Sequence, residues 1–240
     1  FMKTPEEAIR LAEVMVGIGE DNGKKTIALV TDMTQPLGCA VGNAMEVKEA
    51  IETLCGEGPA DFKAECYALA KAMLLAGECA KSDAEAEELV RDAITSGRAL
   101  QKFKAMVKNQ GGEVSYVEDP SLFPKATYSL EGKAEEDGTI SAINAETIGK
   151  SSLLLGAGRR RTNDAIDPAV GLYVWKKVGD AVHKGDVLFT VEANDEAKGR
   201  EAVALAKSAY SFTRQSVASA HTPIYAIVRK DGVTLMKQNA

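Results

Sequence analysis

A loop between residues 32 and 42 combines residue types that could bind a cation. It follows the apolar run 26–31 and contains Gly38 and Gly42, where the backbone can turn tightly and expose its carbonyl or amide groups. In the helix predicted after the loop, Glu49 lies nearly opposite the apolar stripe. Loop carbonyls and one carboxylate are oxygen ligands that suit a hard cation, so this corner predicts a cation site. The alternative is an ordinary turn before a helix with a solvated polar face.

Two further groups of residues could carry chemistry of a different kind. Cys39 lies in the same loop and its thiolate could be a nucleophile, but His183 and His221 are far away in sequence, so no base is close along the chain. The segment 156–161 (GAGRRR) could bind an anion through its amides and guanidinium groups. It does not match the phosphate-binding patterns of P-loops or dinucleotide folds. Helix termination followed by a solvated basic loop is the other interpretation.

The composition is that of a globular protein with an excess of acidic residues. Of the 240 residues, 45% are apolar and 27% are charged, and the formal net charge is −6. We therefore expect neither nucleic acid nor an anionic membrane as a partner. No apolar run approaches the roughly 20 residues of a membrane span. The four cysteines have no C-x-x-C spacing, which predicts reduced thiols and a cytoplasmic location.

Local signals predict the elements that position the loop. The capping box 4–7 (TPEE) predicts a helix that starts at residue 5. The run 26–31 is almost continuously apolar, which favours a strand buried on both faces of a parallel sheet. Asn43 is predicted as the N-cap of the next helix, with Glu46 three residues later. Further helices are predicted up to about residue 109.

The chain changes character near residue 115. Glycines at 111 and 112 and the turn 118–121 separate a mainly helical part from one with short alternating strands. We therefore divide the chain into 1–115 and 116–240. In the second part, residues 178–188 (VGDAVHKGDVL) resemble the turn-and-strand unit of biotinyl and lipoyl carrier domains. The lysine that those carriers present at a hairpin tip is missing, so we expect the shape without the swinging arm.

Four segments resemble, in order, the later portion of pyrimidine-nucleoside phosphorylases, the family that includes thymidine phosphorylase. They are residues 1–4 (FMKT), 32–38 with 42–47 (DMTQPLG and GNAMEV), 155–159 (LGAGR) and 178–180 (VGD). The resemblance extends to about residue 228, and the second segment is the most specific. It implies a pentosyltransferase that splits thymidine, deoxyuridine or uridine with phosphate. The products would be the free base and a pentose 1-phosphate.

The same resemblance implies an α/β fold. Residues 1–115 would be the remaining part of a mixed α/β sheet domain with helices, the central domain of the phosphorylase. Residues 116–240 would form an α+β subdomain with a biotinyl/lipoyl-carrier-like unit. The family's phosphate-binding and base-binding residues precede the segment that matches residue 1, so no catalytic or substrate-binding residue is assigned to this chain. The sequence is therefore expected to be a C-terminal fragment that is inactive alone.

Part of a potassium site carries over from the family. Its ligands would be the backbone carbonyls of Leu37 and Ala40 and the carboxylate of Glu49, half of a K⁺ site whose other ligands belong to the family's glycine-rich region. The full-length enzyme would bind a pyrimidine nucleoside, with phosphate as its co-substrate, and form a homodimer. The oligomeric state of the fragment stays open.

Two alternatives to a phosphorylase fragment remain open. One is a free-standing module on the same scaffold that binds a cation or a protein partner. The other is a cysteine- or histidine-dependent enzyme unrelated to nucleosides, for which Cys39 is the sole argument.

Overall fold

The computed structural model describes residues 2–217 and 224–236, and these form a mixed α/β protein with several sheets. The helices are α1 (Pro5–Asp21), α2 (Asn43–Leu54), α3 (Ala60–Ala76), α4 (Asp83–Thr95), α5 (Arg98–Asn109), α6 (Ser115–Glu118), α7 (Ala145–Leu155) and α8 (Glu196–Lys207), with a 3-10 turn at Pro120–Leu122. The strands are β1 (Ala28–Thr31), β2 (Ala40–Val41), β3 (Tyr128–Lys133), β4 (Gly138–Ile143), β5 (Gly171–Val174), β6 (Ala181–Val182), β7 (Val187–Ala193), β8 (Tyr210–Thr213), β9 (Ile224–Arg229) and β10 (Gly232–Leu235). The coarse fold class predicted from the sequence is confirmed. Phe1 and His221 lie outside the described residues.

The chain forms two compact units that interleave along the sequence. The first unit comprises Phe1–Met33, Ala60–Ser96 and Ala220–Ala240, and the second comprises Thr34–Pro59 and Gly97–Ser219. These two units are defined by their compactness in space, whereas the division at residue 115 was predicted from composition and a family resemblance. That division stays a prediction.

Helix α1 begins where its capping signal predicts. The Oγ1 atom of Thr4 accepts a hydrogen bond from the backbone N–H of Glu7, at 3.3 Å, and Pro5 occupies the first helical turn. The helix packs its buried side chains onto one face of a three-stranded sheet. The hydrophobic cluster between α1 and this sheet is small, and its buried members are Ala12, Val16, Val30, Ala226 and Val228.

The three-stranded sheet corrects the prediction of a parallel strand. Its order is β1-β9-β10, and both pairings are antiparallel, with Ala28 opposite Val228. Within β1, Val30 is buried and its neighbours are half-buried. A near-continuous apolar run is typical of strands in parallel sheets, but it does not determine the direction of the partner strand. In the described residues, the prediction of a parallel sheet was therefore wrong.

Helix α3 carries a buried carboxyl group at Glu65. Its side chain is 7% exposed, and Oε2 has no hydrogen-bond partner among the described residues. Burial raises the pKa of this carboxyl, and the nearby charges of Asp61 and Asp32 raise it further. A carboxyl with a raised pKa in the folded state destabilises the fold above its unfolded pKa, because the folded chain resists ionisation.

We expect Glu65→Gln to raise the Tm of the chain at pH 7. The amide has no charge to bury, so the gain grows as pH rises above the unfolded pKa of Glu65, about 4.3, is complete above its folded pKa and is absent below both. Thermal unfolding of both proteins between pH 4 and pH 8 measures this difference. Glu88→Gln, at an exposed position of α4, is the matched control. A substitution at Glu65 whose effect on Tm does not vary with pH would contradict the assignment.

The second unit contains two antiparallel sheets. Their orders are β2-β5-β7-β3 and β6-β4-β8, and helices α7 and α8 contact each other beside them. The largest fully buried side chains of this core are those of Phe189, Ile140, Ile148, Leu172 and Leu188. The sheet matters for the candidate site because its edge strand β2 directly follows the loop at residues 34–39.

A glycine and a phenylalanine face each other across this sheet. Gly132 in β3 lies opposite Phe189 in β7, and the aromatic ring occupies the space where a side chain at residue 132 would be. A Cβ atom built on Gly132 would lie 2.1 Å from Cζ of Phe189. The Phe189 ring can therefore pack here only because residue 132 has no side chain.

Candidate functional site

The loop at residues 34–39 is anchored to the sheet of the second unit. Strand β2 pairs with β5, so that Ala40 lies opposite Tyr173, and the backbone N–H of Val174 donates to the Cys39 carbonyl at 2.8 Å. The backbone N–H of Ala145 donates to the carbonyl of Thr34 at 3.2 Å. Both ends of the loop are thus held by backbone hydrogen bonds.

Helix α2 starts one residue earlier than its N-cap prediction. The N-cap is Gly42, whose backbone N–H donates to Oε1 of Glu46 at 3.0 Å. Asn43 is the first helical residue, and its side-chain amide donates to the carbonyl of Ala157 at 2.6 Å. A Cβ on Gly42 would lie 2.7 Å from the carbonyl oxygen of Val170, so close packing requires glycine at the cap. The prediction of Asn43 as N-cap was wrong for this reason.

Glu49 points back from α2 into the loop. Its side chain is 8% exposed, and Oε1 accepts hydrogen bonds from the backbone N–H groups of Cys39 at 2.8 Å and Ala40 at 3.0 Å. The other oxygen, Oε2, lies against Gly38, where a Cβ atom would be 2.2 Å from it. The interpretation of this helix face as solvated is therefore wrong at Glu49. A buried carboxylate organises the loop.

The same loop also binds the ammonium group of Lys177, a residue distant in sequence. Nζ of Lys177 donates to the carbonyl of Pro36 at 2.5 Å and also to the carbonyl of Gly38. The next residue, Val178, donates its backbone N–H to Oε1 of Gln35 at 3.0 Å. Sequence reasoning missed Lys177, because nothing local links it to a loop about 140 residues earlier. The segment 178–180, quoted for the family resemblance, was the nearest signal.

Tyr173, which lies opposite Ala40, is half-buried and close to several carboxylates. Burial raises the pKa of Tyr173, and the charges of Glu192, Glu52 and Glu49 raise it further. Tyr173 also stacks on Trp175, with ring centroids 5.2 Å apart. Trp175 is the single tryptophan of the chain, and its indole N–H donates to Oγ1 of Thr190 at 3.2 Å.

The three predicted potassium ligands lie in one region of the second unit. Glu49 reaches the loop at Ala40 through the amide of that residue, and Leu37 lies between the two residues whose carbonyls bind Lys177. Among the described residues, no group of three or more His, Cys, Asp or Glu side chains could hold a metal ion. A cation held here would therefore depend on backbone oxygens as well as Glu49.

The other candidate residues are placed elsewhere. The imidazole of His183 is exposed, with Nδ1 lying 3.8 Å from Oδ1 of Asp137. Gly156 ends α7 in the left-handed conformation, at φ 107°, and the backbone N–H groups of Arg160 and Arg161 donate to Oδ2 of Asp164. The basic segment is therefore an exposed loop after a helix, with two of its amides bound to a carboxylate of the same loop.

Two family models match this chain in sequence order. A model described as "Glycosyl transferase family, a/b domain" matches residues 1–100, and one described as "Pyrimidine nucleoside phosphorylase C-terminal domain" matches residues 139–213. These two matches confirm the resemblance to pyrimidine-nucleoside phosphorylases. The first match contains the loop and Glu49, and the second contains Lys177, so the site joins segments from both models.

Relatives with this family's name match most of the chain. Pyrimidine-nucleoside phosphorylases of Geobacillus stearothermophilus, Bacillus subtilis and Staphylococcus haemolyticus are 50%, 48% and 47% identical to it over 196 residues. The aligned region covers 82% of this chain and 45% of each relative. The chain thus spans less than half the length of these relatives. None of the helices in its described part is long and apolar enough to cross a membrane.

Proposed function

We propose that this chain is part of a pyrimidine-nucleoside phosphorylase. The complete enzyme would split thymidine or uridine with phosphate, giving the free base and a pentose 1-phosphate. The observation that carries the proposal is the identity of 47–50% to three proteins of that name across 82% of the chain. The four cysteine thiols fit the proposed cytoplasmic location, since a reducing compartment keeps thiols reduced.

Within that enzyme, the loop around Gly38 would supply half of a potassium site. Leu37 and Ala40 would contribute backbone carbonyls and Glu49 its carboxylate. The residues fit such an ion, because the carboxyl group of Glu49 is buried and adjacent to a loop rich in backbone oxygens. The contact of Oε2 with Gly38 leaves no room for a side chain at residue 38. A bound K⁺ would add positive charge that braces the neighbouring phosphate-binding region of the complete enzyme.

The finer architecture is also part of the proposal. Residues 1–115 would belong to the central α/β domain and 116–240 to the C-terminal subdomain, with residues 178–188 as its carrier-like unit. The two family-model matches, 1–100 and 139–213, fall on either side of that division. The turn before β7 supports a carrier-like shape, because the backbone N–H of His183 donates to Asp186 at 2.9 Å and closes it.

An exposed apolar face on α1 supports a larger assembly. Four side chains at helical spacing are 43–59% exposed: Leu11, Val14, Met15 and Ile18. Exposed apolar rows of this kind usually contact another part of a protein. We propose that further chain of the complete enzyme covers this face and that the complete enzyme is a homodimer.

A phosphorolysis assay tests the proposed function. We expect no release of thymine or uracil when the 240-residue chain is incubated with phosphate and thymidine or uridine, measured by absorbance. Co-expression with the unmatched portion of the Geobacillus stearothermophilus relative is expected to restore release. A reaction without phosphate is the control for hydrolysis.

Release by the 240 residues alone would overturn the assignment of substrate-binding residues to another segment. Failure of the combined protein to release base would count against the phosphorylase proposal itself. In that case, stabilisation of the chain by potassium chloride would favour the cation-binding module.

A further inference from the structure

One peptide group in the loop is held at both ends by charged side chains. The carbonyl oxygen of Gly38 accepts a hydrogen bond from the ammonium of Lys177. The N–H of the same peptide group, which belongs to Cys39, donates to the carboxylate of Glu49 at 2.8 Å. We propose that Lys177 is a positioning residue, which acts with Glu49 to fix the Gly38–Cys39 peptide group and hence the loop.

The physical basis is the dipole of the peptide group. In a trans peptide the C=O and N–H point in opposite directions, so a cation at the oxygen and an anion at the hydrogen both align with the dipole. Hydrogen bonds to ionised partners are about twice as strong as neutral ones. Gly38 and Ala40 are buried, and Lys177 is half-buried, so water screens this arrangement only in part.

The backbone conformation makes this arrangement specific. Gly38 has φ 67°, in the left-handed region that favours glycine. A Cβ atom at Gly38 would lie 2.2 Å from Oε2 of Glu49, so the carboxylate occupies the space that a side chain at residue 38 would need. Lys177 adds a second bond to Pro36, and Val178 binds the side chain of Gln35. Residues 177 and 178 therefore hold three positions of the loop from one side, while Glu49 holds it from the other.

The role of Lys177 also bears on the proposed cation site, although the fixing of the peptide group does not depend on a cation. Leu37 directly precedes the fixed peptide group and Ala40 directly follows it. If these residues provide potassium ligands, Lys177 sets the orientation of their carbonyls, and this consequence rests on the proposed function. The rigidity of the loop itself does not require a cation.

The loop contains its own chemical probe, the thiol of Cys39. We expect Lys177→Met to increase the rate at which iodoacetamide alkylates Cys39 in the native chain by about tenfold, because loss of two charge-assisted bonds favours local opening. Mass spectrometry of digested samples gives the rate at each cysteine. The exposed thiols of Cys55 and Cys79 are internal standards whose rates are expected not to change. Lys176→Met removes the same charge one residue away and is the matched control.

Two further variants separate positioning from general stability. Lys177→Arg keeps the charge and two donors, so its Cys39 rate is expected within about threefold of the wild-type rate. Glu49→Gln is also expected to raise the alkylation rate of Cys39. In the double variant with Lys177→Met, the fold-increase of this rate should be smaller than the product of the two single fold-increases, because both substitutions act on one peptide group. If Lys177→Met accelerates all four thiols, the chain has lost global stability, and Lys177→Gln replaces it in the comparison.

An unchanged Cys39 rate in Lys177→Met or Lys177→Gln would overturn the proposal, as would equal effects of Lys176→Met. The potassium question is answered separately by the fluorescence of Trp175, titrated with KCl against choline chloride in the wild-type chain. A faster Cys39 rate without a potassium response would support the role of Lys177 and count against the cation site. If the fluorescence response to KCl is the same in Lys177→Met as in the wild type, Lys177 does not orient the proposed potassium ligands. Its role would then be limited to fixing the loop.

Discussion

Replacing Glu49 with alanine is expected to lower the free energy of unfolding by about 3 kcal/mol. The backbone N–H groups of Cys39 and Ala40 would lose their acceptor in a buried setting. A buried donor without a partner costs about 1–3 kcal/mol, and two are affected here. Urea denaturation followed by the fluorescence of Trp175 measures the change, because Trp175 directly follows β5, which pairs with β2, and stacks on Tyr173.

Glu52→Ala is the matched control for Glu49→Ala. Glu52 lies three residues after Glu49 on α2, and its carboxylate is exposed. We therefore expect Glu52→Ala to change the free energy of unfolding by less than about 0.5 kcal/mol. Glu49→Gln keeps an acceptor oxygen and should lie between the wild type and Glu49→Ala. An unfolding free energy for Glu49→Ala within 0.5 kcal/mol of the control, about the usual scatter for surface substitutions, would show that the loop amides are satisfied without this carboxylate.

Gly132→Ala is expected to destabilise the chain by about 2–3 kcal/mol. The new methyl group would lie 2.1–2.5 Å from three ring atoms of Phe189, and this ring is fully buried. Neither the ring nor the strand can move without displacing the core of the second unit. The same urea experiment measures the loss.

Two variants test the mechanism of this loss. Gly149→Ala, at an exposed position of α7 with nothing within 4 Å of the new Cβ, is expected to be neutral or to stabilise by up to about 1 kcal/mol. Phe189→Leu shortens the obstructing side chain, so Gly132→Ala should cost less in that background than in the wild type. Equal costs in the two backgrounds would mean that the destabilisation does not arise from the aromatic ring.

The sequence predicted the features of the fold that depend on local chemistry. The start of α1 follows from Thr4 and Pro5, because capping involves residues within one turn of each other. The pairing of β1 could not be predicted in the same way. Its partner β9 lies about 200 residues later, and a short apolar run also occurs in covered antiparallel strands, as it does here.

The candidate site was predictable only in part for a similar reason. Helical periodicity placed Glu49 opposite the apolar stripe, but it does not show what covers that face. The structure places the loop amides over the carboxylate, so this polar side chain is buried. Lys177 reaches the loop only through the pairing of β2 with β5, which tertiary structure alone establishes.

The interleaving of the two units has a consequence for synthesis of the chain. Strand β1 and helix α1 are synthesised well before β9, which completes their sheet about 200 residues later. At roughly 5–20 residues per second, this delay is on the order of 10–40 s. During that time Val30 and the buried side of α1 lack their native cover, while most of the second unit is already available to fold. We therefore expect the first unit to complete its sheet after the strands of the second unit have been synthesised.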